Sequence, residues 1–585
     1  MKTGGAFLTS PVCTDEIFTR EQFSEEQKEI GQMVEKFARE RIRPQKEEIE
    51  KFNKELSLEL LRECGEMGLL SVDIPQPYGG LGLDKVTSAI VAEKLSMGMC
   101  ASFATTFGAH AGIGTLPTVF FGNEQQKKKY LPKLATAGWI ASYALTEPES
   151  GSDATSARTT ARLSGDGKSY ILNGTKQFIT NASWATLFTT FANMDGKFTG
   201  FLIERDTPGL SIGPEEKKMG VKGSSTCSVY LENATVPVES VLGEVGSGAA
   251  IAFNTLNIGR FKLGAGALGG CKIVTEETLR YASQRRQFGQ AIRNFDVIKG
   301  YFADMAVRTF ALDAIVYRTI GLIDAAIAAI PVDAPDYNKR VADAIESYAI
   351  EASMCKVYGS ESLAFVADTS VQIYGGYGFI EEYPLASVLR DTRIDRIWEG
   401  TNEINRQIIA GYVLKKALLE TLPMREGIKD IKLQNLHAGS PVAPDDGLAA
   451  EKSAFEVARK LVLYTFNEAV SRYGQDLTNQ QQVGALLSDM FTDIFISSSA
   501  LSRVSQQSKR RESDPIARAI VKVLCYERIQ ALTAAAQKIL HAVVEAPYLG
   551  QTMRTLNLFR QEMRVEQNIF RLKREIAEAV YSGLS

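Results

Sequence analysis

Histidine is nearly missing from this chain: three occur in 585 residues, at His110, His437 and His541. Their wide separation argues against a multi-histidine metal site. A Ser-His-Asp or Cys-His engine would have to use one of these three. Acid–base chemistry then falls to a carboxylate, a lysine or a cofactor. An excess of one charge is missing too. Lys+Arg is 66 and Asp+Glu is 69, a net of −3, which argues against nucleic-acid binding through bulk charge. The seven cysteines contain no CxxC pair and are odd in number. Scattered thiols of this kind fit a reducing compartment and read as small buried apolar residues. No run approaches the ~18 apolar residues of a membrane-spanning helix. The segment MKTGGAFLTSPVCTDEIF has neither the apolar core of a secretory signal nor the Arg-rich amphipathic character of a transit peptide. Sequence repeats and low-complexity tracts are absent.

What is present is an ordinary globular composition, 45% apolar and 23% charged, and a length that suggests roughly three to six folding units. Residues 1–140 read mostly as helix. SEEQKEIGQMVEKFARERI opens at Ser24 with an acidic first turn and apolar residues at 3–4 spacing. From about 141 to 248 the texture changes to short β-branched or aromatic runs separated by turn signals such as GDGKS, NGT and DGK. Helical patterning returns over 249–415. A linker over 416–449 includes the Pro/Gly/Asp-rich HAGSPVAPDDG, and 450–585 is helical again. The expected fold is mainly α with a central antiparallel β-domain, plus an extra C-terminal helical domain.

Several segments have residue types suited to ligands. GAGALG at 264–269 matches GxGxxG, but FNTLNIGRFKL before it looks helical and no strand ends in an acid about 20 residues on. Small residues permitting close helix packing are the better reading. YALTEPESGSDATS at 143–156 combines Thr146, Ser150 and Ser152 with backbone amides near glycine. It reads either as a polar connecting loop or as a holder of a flat heterocycle and phosphate oxygens. In NGTKQFITN, Phe178 would lie against an aromatic ring or in a strand core. YASQRRQFGQAI places Arg285 and Arg286 on a helix near Phe288, either to meet a pyrophosphate or as a solvated basic face. QIYGGYGF at 372–379 makes a turn that lets backbone approach a ligand. Glu399, between Trp398 and Gly400, is either a surface residue or a carboxylate whose pKa desolvation raises until it serves as a base.

Together these segments resemble the acyl-CoA dehydrogenase flavoprotein family over about residues 20–415, in colinear order. Within that family the chain is most similar to the very-long-chain type, which also has a C-terminal helical extension. It carries PYGGLG, YLPKLA, TEPESGSDA, LNGTK, VPVE, LGEVG and RDTRI. The resemblance implies FAD held between an N-terminal helical domain, a β-domain and a helical bundle. Tyr143, Leu145, Thr146 and Ser152 would touch the flavin and its phosphates, and Ser152 would also lie near the thioester arm. Phe178, Ile179 and Thr180 would flank the isoalloxazine. Arg285, Phe288, Gln372, Gly375 and Gly376 would reach the FAD of a neighbouring subunit, and Thr401 and Glu403 would complete the site. Asn257 and Arg260 would contact CoA, with Trp398 and Gly400 lining the substrate pocket. Glu399 matches the catalytic base.

Two positions depart from the family pattern: Phe178 stands where Trp is usual, and Trp398 where Tyr or Phe is more common. Some members carry the base just before the CoA arginine, where this chain has Gly259. The implied reaction is α,β-dehydrogenation of long- or very-long-chain acyl-CoA to trans-2-enoyl-CoA in fatty-acid β-oxidation, with electrons passed to an electron-transferring flavoprotein. The other readings are an assembly or scaffold protein that keeps the fold, or an acyl-CoA oxidase. A homodimer is expected, with no metal and no nucleic-acid partner. The alternation of basic and apolar residues in SKRRESDPIARAIVKVL reads either as a peripheral membrane contact or as a core-packed helix. The expected location is a bacterial cytoplasm, with membrane association, or mitochondrial for a matured chain.

Overall fold

The computed structural model describes residues 3–13, 16–334, 336–437, 446–510, 512 and 514–583. The centre of the expected linker, 438–445, lies outside the described residues. The first helix, Glu25–Phe37, begins where Ser24 caps it. Ser24 Oγ accepts from Gln27 N–H at 3.1 Å, and the Gln27 side chain accepts from Ser24 N–H at 3.0 Å. Helices Lys54–Glu66, Lys85–Leu95 and Glu124–Ala135 complete the main N-terminal helices.

The chain then enters β1 (Ala141–Ala144), β2 (Thr160–Leu163), β3 (Ser169–Thr180), β4 (Leu187–Met194), β5 (Lys197–Glu204), β6 (Leu210–Glu215), β7 (Thr226–Pro237) and β8 (Val241–Leu242). The sheet order is β6-β7-β3-β2-β4-β5-β8, with β1 beside β4. It is mostly antiparallel, but β1 and β2 both run parallel to β4, which the expected antiparallel domain did not include. NGT is not a turn. Asn173, Gly174 and Thr175 lie inside the long β3, and the backbone of Gly174, at φ 157°, lies so close to Thr159 that a Cβ would sit 2.3 Å from its hydroxyl.

Two long helices, Gly248–Gln284 and Ala349–Tyr374, form the spine of the following bundle with Asp296–Ala328. GAGALG lies inside the first of them. A Cβ on Gly264 would sit 3.1 Å from Cys355, and one on Gly269 would sit 2.0 Å from the Glu93 carbonyl. These glycines allow close helix packing. The expectation that Arg285 and Arg286 sit on a helix is corrected. The helix stops at Gln284, and residues 286–291 form a two-stranded hairpin with Phe288 at φ 50° and Gly289 at φ 81°. Glycine's freedom at that tip reverses the chain.

The C-terminal helices Ala449–Tyr473, Gln481–Lys509, Pro515–Val543 and Ala546–Glu562 pack together, and Ile569–Tyr581 lies on Asp296–Ala328. SKRRESDPIARAIVKVL is not one helix. It contains the end of one helix and the start of the next, capped by Asp514. Arg511 and Ser513 within it lie outside the described residues. Ala517, Ala519, Ile520, Val521, Val523 and Leu524 are buried, so the core-packed reading holds for this helix. No helix among the described residues is long and apolar enough to cross a membrane.

A buried ionic cluster joins three regions. Arg20 Nε donates to Asp313 at 2.6 Å and Arg20 Nη2 to Glu93 at 2.8 Å. Lys272 Nζ bonds both carboxylates at 2.9 Å. Arg503 of the C-terminal block bonds Asp313 at 3.2 Å and Glu21 at 2.6 Å. Burial alone would raise the Glu93 and Asp313 carboxyls, but Arg20 and Lys272 hold both below the usual carboxylate range. Six of the seven cysteines are buried, and Cys13 is half-buried.

Candidate active site

The polar loop after β1 is anchored from below. Glu147 is buried, and its carboxylate accepts the backbone N–H groups of Arg158 at 2.5 Å and Thr159 at 3.2 Å. Lys176 of β3, fully buried, donates to Glu147 at 2.6 Å and to the Leu145 carbonyl at 3.4 Å. Burial brings the Lys176 ammonium down to about 8, against the pull of Glu147. Gln177 N–H bonds the Thr146 carbonyl at 2.8 Å. Residues 145–159 are therefore held on β3. Ser152 and Gly151 face outward, with open space around Gly151.

β3 breaks register between Lys176 and Ile179, and Phe178 sits in that break at φ 58°. The bulge throws its ring outward, leaving the residue 58% exposed. Ile179 is buried, and the Thr180 carbonyl accepts from Ser142 Oγ at 2.6 Å. A large aromatic in a left-handed bulge, ring outward, does not serve the core. It presents a flat apolar face.

The carboxylate comes from the other half of the molecule. Arg393–Arg396 forms a short turn of helix, after which Glu399 adopts φ 56° and Gly400 φ 82° before Thr401 caps the Asn402–Leu418 helix. Two consecutive left-handed residues reverse the chain. The glutamate conformation costs about 1–2 kcal/mol. Three donors hold the turn. Arg260 Nε donates to the Glu399 carbonyl at 3.2 Å, and Lys356 Nζ and Asn405 Nδ2 each donate to the Gly400 carbonyl at 2.8 Å.

The side chain lands on Gly259, where a Cβ would sit 2.3 Å from Glu399 Oε2. Oε2 is closed off from solvent and has no hydrogen-bond partner, and the Glu399 N–H donates to no acceptor among the described residues. Burial pushes this carboxyl up to about 7, against the pull of Arg260, Lys356 and Lys262. Tyr143 is buried nearby, and its phenol is raised by burial and by the Glu399 charge. Asn257 and Arg260 are both buried, and Arg260 Nη1 donates to Asn257 Oδ1 at 2.7 Å. Trp398 is half-buried and Glu403 exposed.

Most of the remaining expected residues are exposed, and one contact links the hairpin region to the glycine turn. Arg285 lies 5.4 Å over the Tyr377 ring, beside the stacked Tyr281 and Tyr374. Gln372, Gly375 and Gly376 are exposed, with nothing near the two glycines. Phe288 is 93% exposed and Phe379 84%.

Sequence reasoning passed over Lys356, Asn405 and the Glu147–Lys176 pair. A lysine inside the apolar run SMCKVYG was the available signal for Lys356. The histidines do not join this site: His110 bonds the Leu134 carbonyl and the Ala141 N–H, each at 2.9 Å, and is buried. His437 and His541 lie on C-terminal helices or next to them, with Ser453, Glu562 and the Gln537 carbonyl as partners.

Comparison with known proteins meets this geometry. Residues 24–138, 142–234 and 246–414 match the family models described as the N-terminal, middle and C-terminal domains of acyl-CoA dehydrogenase. Residues 457–557 match a further model with the description acyl-CoA dehydrogenase, C-terminal domain. The chain belongs to the acyl-CoA dehydrogenase family. A probable acyl-CoA dehydrogenase of Bacillus subtilis (strain 168) is 42% identical over 100% of this chain and 98% of its own length. The mitochondrial very long-chain specific acyl-CoA dehydrogenase of Homo sapiens is 38% identical over 68% of this chain and 60% of its own length. A crystal structure of an acyl-CoA dehydrogenase complexed with FAD from Bacillus anthracis superposes with a TM-score of 0.95. That match is 43% identical and covers 100% of this chain and 99% of that one. The acyl-CoA dehydrogenase match thus spans the dehydrogenase core and the C-terminal helices alike.

Proposed function

We propose that the chain is an FAD-dependent dehydrogenase of long- or very-long-chain acyl-CoA, with Glu399 as the base. The observation that carries this reading is the enclosed, unpartnered Oε2 of Glu399, aimed by a left-handed turn onto Gly259. An α-C–H beside a thioester is a weak acid. A carboxylate lifted toward neutrality by burial is a stronger base than a solvated one, and about 7 matches its task at cellular pH.

The residues present fit FAD. Phe178 offers an exposed flat ring, the 145–152 loop offers Thr146, Ser152 and backbone amides, and the Gly375–Gly376 turn is open to close approach. Tyr143, Leu145, Ile179, Thr180, Thr401 and Glu403 would complete that surface. FAD, when bound, supplies the two-electron acceptor for the β-hydrogen. Glu399 removes the α-proton. The free Glu399 N–H is a donor for the thioester oxygen as charge develops there. Arg260 and Asn257, below the turn, hold the Glu399 backbone in that pose. Trp398 and Gly400 border the acyl group.

The exposed rings of Phe288, Tyr377 and Phe379, with Arg285 over Tyr377, suit cover by a second copy of this chain and the adenosine end of its FAD. Likeness to the human very long-chain specific enzyme supports the substrate length, and an electron-transferring flavoprotein as acceptor in fatty-acid oxidation is carried over from the family resemblance of the sequence. Anaerobic mixing of the purified flavoprotein with acyl-CoAs of graded length tests the reading. Bleaching of the flavin by C14–C18 thioesters and not by C4 is expected, and no bleaching with any acyl-CoA would sink the enzyme reading. Glu399→Gln should keep FAD while slowing bleaching about 10²–10⁴-fold.

A further inference from the structure

Lys356 is an unusual lysine. It sits mid-helix in Ala349–Tyr374 among Ser353, Met354, Cys355, Val357 and Ser360, all buried, and its own exposure is 0%. A buried ammonium is costly unless a carboxylate meets it. Among the described residues none does so within ion-pair distance. Its two partners are neutral oxygens: the Gly400 carbonyl at 2.8 Å and Asn402 Oδ1 at 2.7 Å. Asn402 is itself fixed, with Nδ2 donating to Ser360 Oγ at 3.1 Å and Glu361 at 3.0 Å. A methionine would fill the same space in this apolar helix without that cost.

We propose that Lys356 is a positioning residue for Glu399: its ammonium clamps the Gly400 carbonyl so that the left-handed turn keeps the carboxylate on Gly259, and its charge faces that carboxylate across the site.

The charged groups around the turn come from every packed element. Helix Gly248–Gln284 contributes Arg260 and Lys262, β1 contributes Tyr143, and the turn itself contributes Asp395 and Glu399. Helix Ala349–Tyr374 contributes Lys356 and Glu361. Helix Asn402–Leu418 contributes Glu403, Tyr412 and Arg406, the last bound to Glu361 at 2.9 Å. Arg260 is committed to the Glu399 carbonyl and Asn257, and Lys262 to Asp73 at 2.7 Å. Of the three cations near Glu399, Lys262 is paired with a carboxylate, while Arg260 and Lys356 are held by neutral oxygens: Arg260 grips the Glu399 carbonyl, and Lys356 grips the Gly400 carbonyl and the Asn402 side chain of the helix that follows. Burial brings its own ammonium down to about 8, against the pull of Glu399 and Asp395.

This rests on the reading of Glu399 as base, and the experiment separates the two. The rate of anaerobic flavin bleaching by a long-chain acyl-CoA is followed from pH 5.5 to 9 in wild type, Lys356→Met, Lys356→Arg and Glu399→Gln, each at matched FAD content. A nearby cation lowers a carboxyl pKa by about one unit or more. Lys356→Met should therefore move the acid limb upward by about one pH unit and slow bleaching about tenfold below it. Lys356→Arg should keep the wild-type limb. If Lys356→Met loses FAD, Lys356→Gln, which keeps a donor for Gly400, carries the same test. An unmoved acid limb in an FAD-loaded neutral variant overturns the proposal. So does loss of FAD in all three lysine variants, which would assign the lysine to the fold alone. Wild-type bleaching by Glu399→Gln would instead remove the base reading itself.

Discussion

Replacing Gly259 with alanine tests the site through one added methyl group. The Cβ would lie 2.3 Å from Glu399 Oε2 and 2.6 Å from both Cδ and Oε1. An unstrained carbon–oxygen contact is about 3.3 Å, so the carboxylate must retreat by roughly 1 Å. The helix backbone has no reason to move, because the offended atoms are the far end of a flexible side chain. Alanine is also the better helix former by about 1 kcal/mol. Gly259→Ala should therefore melt no lower than wild type and keep its flavin. A misplacement of about 1 Å at a reacting group costs on the order of 10²-fold, so bleaching by a long-chain acyl-CoA should slow by about that factor. Stopped-flow absorbance of the flavin under anaerobic conditions, beside a thermal melt of the same samples, reads both. A variant that melts like wild type and bleaches at the wild-type rate would refute the placement of the working carboxylate over Gly259.

A raised carboxyl pKa has its own stability signature. With Glu399 moved from 4.5 to about 7, the folded protein binds the proton more tightly than the unfolded chain, so its contribution falls as pH rises through that window. Glu399→Gln should thus be more stable than wild type at pH 8 by about 1–3 kcal/mol and not at pH 4, read by denaturant melts at both pH values. The wild-type bleaching rate should rise with pH through about 7, since only the ionised base works. Lys176→Met would leave Glu147 buried and unpaired, costing about 3–5 kcal/mol and loosening the 145–159 loop, seen as a lower melt and weaker flavin retention. Phe178→Ala removes a largely exposed ring from a left-handed position. The apoprotein melt should change by less than about 0.5 kcal/mol while FAD affinity drops, measured by fluorescence titration.

Local patterning carried much of the architecture. The Ser24 cap, the change of period near 141 and the return to helix near 248 all arise within a few residues of where they are read. GAGALG was legible as helix packing because its neighbours are helix formers. Other features depend on partners far along the chain. NGT looks like a hairpin tip until Thr159 is seen against Gly174, which lets the strand run through. Arg285 and Arg286 continue a helical pattern that the hairpin at Phe288 ends. Glu399 was visible as a candidate, but its working conformation was not. That conformation depends on Arg260, 139 residues from Glu399, and Lys356, 44 residues from Gly400, gripping two adjacent carbonyls. Such long-range hydrogen bonds leave no period in the sequence.

The buried ionic cluster bears on the order in which the molecule can be made. The Ile17 backbone pairs with Gln506 through two hydrogen bonds, and Glu21 and Arg20 meet Arg503 directly or through Asp313. Gly5, Leu8 and Val12 likewise bond Glu351, Arg459 and Glu456. At about 5–20 residues per second, Ile17 and Glu21 leave the ribosome roughly 25–100 s before Gln506 and Arg503, which receive them. Glu93 and Asp313 reach Arg20 well before that, but until then Glu21 lacks Arg503 and Ile17 lacks Gln506. The segment 5–22 is thus synthesised long before its C-terminal partners, and its docking is completed only when they emerge. A chaperone holding that segment would time the final closure of the molecule, and a nascent chain stalled before residue 503 would expose it to proteases.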